Sequence, residues 1–235
     1  DAYYMPRIKW KNNKDILSVQ TLNRHQNHLT MYSVNAKTNK VSILLEETDD
    51  AYVDITDNLT FLEDDSFIWS SEKDGWNHIY LYNADGELMN QITKGNWEVT
   101  KYYGYDQNED KIYYQSTENG SINRGIYNIS SGGDDKKALA DIAGANQASF
   151  SADFTYFINT FSSAEIPPVY TLHQAKNGKK IKDIKDNKQL LQKLEGYKMS
   201  SKEFYTISIN GNDLNMYMIK PKDFDPSKKY PLLMY

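Results

Sequence analysis

The sequence predicts an all-β fold: a partial β-propeller of about four four-stranded antiparallel blades, followed by a short helix and a C-terminal hairpin. Three observations carry this. Short alternating segments recur in triplets punctuated by turn residues. Tyr32, Tyr80, Tyr127 and Tyr170 take the same place in four successive triplets, at intervals of 48, 47 and 43 residues. The 235 residues include 19 tyrosines and 4 tryptophans against only 12 glycines and 6 prolines, a strand-forming balance that also argues against disorder. A repeat of about 40–50 residues with four strands in each unit marks propeller blades, because one sheet cannot hide both faces and must lie against its neighbours around a shared axis.

The blades are predicted over 6–47, 51–95, 98–141 and 147–186. The first opens on "PRIKW" (6–10) and continues through "DILSVQTLN" (15–23), "HLTMYSVNA" (28–36) and "KVSILLEE" (40–47). The second takes "AYVDI" (51–55) as its innermost strand, then "SFIWSSE" (66–72), "HIYLYNA" (78–84) and "ELMNQITKG" (87–95). The third runs "VTKYYGY" (99–105), "KIYYQST" (111–117), "GIYNIS" (125–130) and "KKALA" (136–140). The fourth runs "QASFSA" (147–152), "TYFINTFSS" (155–163), "PVYTLHQA" (168–175) and "KKIKDIKD" (179–186). Turn signals such as "NADGE" (83–87), "DQNED" (106–110) and "NGS" (119–121) separate the strands.

The pattern then changes. "DNKQLLQKLEGY" (186–197) sets Leu190, Leu191 and Leu194 on one side of a helix, with Asp186 or Asn187 as cap and Gly196 at the end. "KEFYTISINGNDLNMYMIKP" (202–221) is a hairpin turning at Asn210-Gly211, with Tyr205, Ile207 and Ile209 alternating outward and Leu214, Met216 and Met218 on the return. A domain boundary is expected near 187–200, dividing a partial propeller over 1–190 from a second unit over 191–235. The chain closes on "KKYPLLMY", where 231–235 read as the first half of a buried strand. With four blades too few for a typical ring, the chain reads as part of a longer polypeptide.

Bulk properties narrow the chemistry. The net charge is −5 and the pI about 5.4, with no basic excess for a nucleic-acid footprint. Cysteine is absent, which removes disulfides, thiolate nucleophiles and Cys-ligated metal. Zero cysteine fits a bacterial cytoplasmic or periplasmic protein without choosing between them. No apolar run approaches the roughly 20 residues of a membrane-spanning helix.

Catalytic motifs are missing: there is no G-x-S-x-G and no HExxH. His25 and His28 lie in the polar turn "NRHQNHL" and form a metal site only with a third ligand. His78 and His173 are expected at strand edges. Glu46, Glu47, Asp49 and Asp50 could face an ammonium group or a cation, although such a run is more often a solvated turn between blades. "SGGDDKK" (131–137) is a loop by composition, and the lysines from 176 to 193 read as a solvated face. Trp97 in "TKGNWEV" either platforms a ligand or plugs the space between two blades, and the structural role is preferred for it and for Trp76. Asn58, Asn119 and Asn128 head Asn-x-Ser/Thr triplets, which matter only in a glycosylating pathway.

"YMPRIKW", "FIWSSEKDGWNHIYLYN", "ITKGNWEV" and "IPPVYTLH" resemble the dipeptidyl peptidase IV branch of the prolyl oligopeptidase family. "DFDPSKKYPLLMY" resembles the stretch where that family's chain passes from propeller to α/β-hydrolase domain. The likeness runs in order along nearly the whole chain, and the version is Bacteroidetes-like, since animal members carry cysteines here. It implies an eight-bladed propeller over a serine peptidase that removes N-terminal X-Pro or X-Ala dipeptides, with 191–235 beginning the hydrolase domain. No cofactor and no metal are expected. Nucleophile, acid and histidine would follow residue 235, as would the oxyanion tyrosine, so that Tyr235 is its neighbour. The glutamate pair that grips the substrate amine would precede residue 1. Glu46 and Glu47 lack that motif's flanking residues. In the animal members a Phe-Arg pair lines an extended subsite at the place of about 51–57, where this chain reads "AYVDITD"; it has no arginine there, and Tyr52, the nearest aromatic, is the candidate for substrate binding. The resemblance further implies a peptide substrate with Pro or Ala second, a homodimeric parent and a periplasmic or cell-envelope location. The chain alone is expected to be inactive and to self-associate through open blade faces. A stand-alone propeller that binds protein or glycan, and a family member without its serine, are the other readings.

Overall fold

The computed structural model describes residues 3–197 and 199–234. Sixteen of its strands form four four-stranded antiparallel sheets, each laid down in sequence order from inner to outer strand. Sheet one holds β1 (Tyr4–Trp10), β2 (Ile16–Leu22), β3 (His28–Asn35) and β4 (Val41–Thr48). Sheet two holds β5 (Thr60–Phe61), β6 (Phe67–Ser71), β7 (His78–Tyr82) and β8 (Leu88–Gln91). Sheet three holds β9 (Val99–Asp106), β10 (Lys111–Ser116), β11 (Gly125–Ile129) and β12 (Lys137–Ala140). Sheet four holds β13 (Ala145–Phe150), β14 (Tyr156–Ser162), β15 (Val169–Gln174) and β16 (Lys180–Lys185). Helix α1 (Lys188–Glu195) and a hairpin of β17 (Lys202–Ile209) and β18 (Asn212–Ile219) follow. Four successive sheets of this kind make a partial propeller.

Side-chain alternation explains why the sheets stack. Successive residues of a strand point to opposite faces. In β6, Phe67 and Trp69 enter the seam with Leu22, Leu29, Met31 and Leu45 of sheet one, while Ile68 between them enters the seam with Ile112 and Tyr114 of sheet three. In β10 the split repeats: Ile112 and Tyr114 face sheet two, and Tyr113 meets Ala148 and Phe157 of sheet four. The two middle sheets are therefore buried on both sides, and every residue of β6 and β11 is buried. Each large apolar side chain so covered contributes about 1.5–3 kcal/mol. The ion pairs are mostly exposed, as at Lys37–Asp15 and Lys176–Glu109, where a pair contributes about 0–1 kcal/mol. The seams, not the surface charges, hold the sheets together.

A glycine turn helps each sheet sit close to the one before it. Gly86, between β7 and β8 at φ +89°, lies so near sheet one that a Cβ would stand 1.7 Å from the Leu44 carbonyl oxygen. Gly178, between β15 and β16 at φ +71°, repeats this against Leu139 of sheet three, at 2.5 Å.

Some sequence expectations change. Residues 51–55 are not a strand; the inner strand of sheet two is the two-residue β5. Local partners consume the amides that a strand would need. Asp49 Oδ1 accepts the N–H groups of Ala51 and Tyr52, Gln26 O accepts that of Val53, and Asp54 Oδ1 accepts that of Ile55. Of the acidic run, Glu46 and Glu47 lie in β4, as the predicted strand over 40–47 has them, and only Asp49 and Asp50 lie in the turn. Tyr170 leaves the tyrosine series: Tyr80 and Tyr127 enter the seam toward the preceding sheet, whereas Tyr170 lies on the face opposite His173 and Phe157, because an odd shift in register flips a residue across its sheet. In α1 the Asp186 carboxylate takes the Lys188 N–H, and Gly196 ends the helix at φ −65°, without the left-handed turn. Residues 231–234 form no strand, with Leu232, Leu233 and Met234 exposed. Tyr235 lies outside the described residues. The hairpin turns at Asn210 and Gly211, both at positive φ, and pairs Tyr205 with Met216 and Ile207 with Leu214.

Candidate functional site

A cleft of about 710 Å³ opens where sheets one and two meet. One wall is the end of β4 and the loop after it, from Leu45 to Asn58; the other includes Ser70, Ser71, Glu72, Lys73, Asn77 and Tyr82. The strand ends carrying Glu47 and Ser71 correspond to the end of sheet three that bears the 117–124 loop. There Asn215 of the hairpin donates to Ser121 Oγ at 2.7 Å, so hairpin and cleft share one end of the sheets.

Tyr52 stands in the cleft wall, 48% exposed. Its backbone is fixed by the Asp49 turn, with Ala51 N–H at 2.7 Å and Tyr52 N–H at 3.1 Å from Oδ1. These N–H groups hold the Asp49 carboxyl below its ordinary range. The wall is strongly acidic. Burial, then the charges of Asp54, Glu98 and Asp49, push the Glu72 carboxyl up. Glu47 reaches across the seam and accepts from Trp69 Nε1 at 3.0 Å. Burial raises its pKa, with the Ser71 hydroxyl, the Trp69 indole and the Lys73 ammonium working against that rise. Lys73 donates to Tyr82 Oη at 2.8 Å and lies 4.0 Å from the centre of the Tyr80 ring, and its burial lowers its pKa. The arrangement suits a peptide segment with a polar or cationic group beside an aromatic ring. It contains no nucleophile–base pair.

His78 opens β7, as the sequence has it, but neither it nor His173 is an edge residue. His78 is fully buried, and His173 is buried as well. Carbonyl oxygens accept only, so His78 donates from Nε2 to Gly95 O at 3.0 Å and accepts at Nδ1 from the Thr93 hydroxyl at 3.0 Å. His173 donates from Nδ1 to Gly178 O and accepts at Nε2 from Thr171, both at 2.8 Å. A buried imidazole with both nitrogens bonded is a structural pin. His28 lies 3.3 Å from Glu46. Among the described residues no group of three or more His, Asp or Glu is placed to hold a metal ion.

Trp97 lies across the second seam: its ring meets His78 of sheet two edge-on at 4.8 Å and stacks near Tyr114 of sheet three at 6.2 Å. Trp76, in the turn before β7, is 39% exposed. A second cavity of about 700 Å³, at the other end of sheets three and four, is lined by charges that pair among themselves, Lys111 with Asp135 and Lys176 with Glu109. Asn128 is fully buried, so its triplet offers no acceptor in the folded chain.

The family model of the dipeptidyl peptidase IV (DPP IV) N-terminal region matches residues 1–168. The chain belongs to this family. It superposes on the crystal structure of Porphyromonas gingivalis dipeptidyl peptidase 4 with a TM-score of 0.90 and 41% identity, over 97% of this chain and 33% of that one. Among curated relatives, dipeptidyl peptidase 4 of Arthroderma otae is 31% identical over 99% of this chain and 31% of its own length. That of Trichophyton rubrum is 30% identical over 93% of this chain and 29% of its own length. The chain thus spans about a third of the relatives it matches. The matched dipeptidyl peptidase IV N-terminal region takes in sheets one to three and the first two strands of sheet four. Tyr52, which the sequence singled out only through the family resemblance, lines the cleft, whereas the Glu47–Trp69 contact was not foreseen. The strand period held that signal: in "KVSILLEE" Glu47 shares a face with Leu45, which points into the seam.

Proposed function

We propose that the chain supplies later propeller blades of a serine exopeptidase that removes N-terminal X-Pro or X-Ala dipeptides, and that its part is to gate and shape access to the substrate pocket. The observation that carries this is the superposition on P. gingivalis dipeptidyl peptidase 4 at 41% identity along 97% of the chain. The cleft with Tyr52 opens at the same end of the sheets as the hairpin, which is the start of the hydrolase unit in this reading. Residues 1–190 are the blades and 191–235 the passage into the peptidase domain. Tyr52 lines the extended substrate subsite, while Trp76 and Trp97 serve the fold. The whole enzyme is a homodimer of the periplasm or cell envelope. No helix among the described residues is long and apolar enough to cross a membrane.

Acyl transfer by a serine needs a nucleophile, a base and an oxyanion hole. The 235 residues are therefore expected to release nothing from a chromogenic Gly-Pro substrate. The same residues joined to the hydrolase portion of P. gingivalis dipeptidyl peptidase 4, in place of its matching segment, should cleave it. In that chimera Tyr52→Ala should raise KM several-fold and leave kcat nearly unchanged, the mark of lost uniform binding. An active 235-residue chain, or a folded chimera without activity, would sink the reading.

A further inference from the structure

We infer that Glu47 is a positioning residue: it clasps the two walls of the cleft and so fixes Tyr52 in the wall beside it. The inference rests on the reading of the cleft as the substrate-facing surface, but its geometry stands by itself. Glu47 leaves the end of β4 on the sheet-one wall, opposite Leu29 of β3. Its carboxylate accepts from the Trp69 indole of sheet two at 3.0 Å. Trp69 cannot follow a displaced partner, because it is fully buried in the seam. The other groups facing Glu47 also come from sheet two: the Ser71 hydroxyl, the Lys73 ammonium, the Glu72 carboxyl and the phenols of Tyr80 and Tyr82.

Between Glu47 and Tyr52 the backbone has little slack. Asp49 gathers the N–H groups of Ala51 and Tyr52, Asp49 N–H donates to Asn27 O at 3.0 Å, and Val53 N–H donates to Gln26 O at 2.9 Å. A shift of β4 away from sheet two is passed to the ring of Tyr52 through this short, tied segment. Burial sharpens the effect, since a desolvated carboxylate without its donors is costly and leaves the seam rather than remaining unpaired.

The test is NMR of the 235-residue chain with labelled tryptophan and tyrosine. Glu47→Ala is expected to move the Trp69 indole N–H signal upfield and to shift the Tyr52 ring and Val53 amide, leaving sheet four unmoved. Glu47→Gln keeps an acceptor for the indole and is expected to restore all three. In the wild type the Trp69 and Tyr52 signals should titrate together, with one midpoint above the usual carboxylate range, and Glu47→Gln should abolish that step. Tyr52 unmoved in Glu47→Ala, or unrestored by Gln, overturns the clasp. If the alanine variant does not fold, the shared titration decides, and its absence overturns the clasp equally. A Gly-Pro-headed peptide that leaves Tyr52 undisturbed, with the clasp intact, would count against the substrate reading alone.

Discussion

Tyrosine is the residue on which seams and cleft both depend, and burial marks its chemistry. The Tyr102, Tyr105 and Tyr113 phenols are pushed up to about 12, first by burial, with neighbouring carboxylates adding to it at Tyr105 and Tyr113. Tyr80, Tyr82, Tyr114 and Tyr127 are raised further by the same cause. The unfolded chain ionises its phenols near pH 10. The folded chain therefore keeps protons that the unfolded chain gives up. Stability from these residues is complete below about pH 10 and is lost as pH climbs from there toward 12. Urea melts in steps from pH 8 to 11.5 are expected to hold level and then fall above 10; a midpoint that rises across that interval would contradict the burial of these phenols. At this scale the sequence was a partial guide. It marked Trp97 by type and neighbours, and Tyr52 only through the family resemblance. It hid the pinning of His78, whose partners Thr93 and Gly95 stand 15 and 17 residues away and carry no local pattern.

Strands were the most legible elements, because alternation and turn residues are local. All but one of the predicted strands in the four blades coincide with a strand to within a few residues. The exception, 51–55, shows what overrides pattern: Tyr52, Val53 and Ile55 look like a strand, but side-chain and loop acceptors reach their amides first. Turns carried more information than the sequence revealed. "NADGE" announced a turn, yet not that its glycine would press against the preceding sheet. Gly86→Ala is expected to destabilise the chain by about 2–4 kcal/mol, since strain at positive φ adds to a clash with backbone that cannot rotate away. Gly75→Ala, also at positive φ but with open space around it, isolates the strain and should cost about 1 kcal/mol. Equal losses in denaturant melts would remove the close approach from the account.

On the scale of the whole molecule, the period of the tyrosines foretold stacking, and the cleft remained invisible because it arises between units. Stacking also leaves an outer face on sheet one. Ile8, Val19, Tyr32 and Ile43 form one row across it, and Trp10, Leu17, Val34 and Val41 a second. Ile8 and Trp10 are 62% and 55% exposed. An apolar surface of this kind seeks cover. The 235-residue chain is expected to sediment faster as its concentration rises, and Ile8→Lys with Trp10→Glu to return it to monomer. A wild-type chain that stays monomeric at high concentration would refute this.

Hydrogen exchange of the native chain tests the central claim, that seams between successive sheets carry the fold. Amides of β6, β7, β10 and β11 should exchange slowest and at a common rate set by global unfolding, because those strands are buried from both sides. Amides of β16 and of the β17–β18 hairpin, whose side chains are almost all exposed, should exchange orders of magnitude faster. Hairpin amides as slow as those of β6 and β7, or sheets two and three opening at unrelated rates, would contradict it.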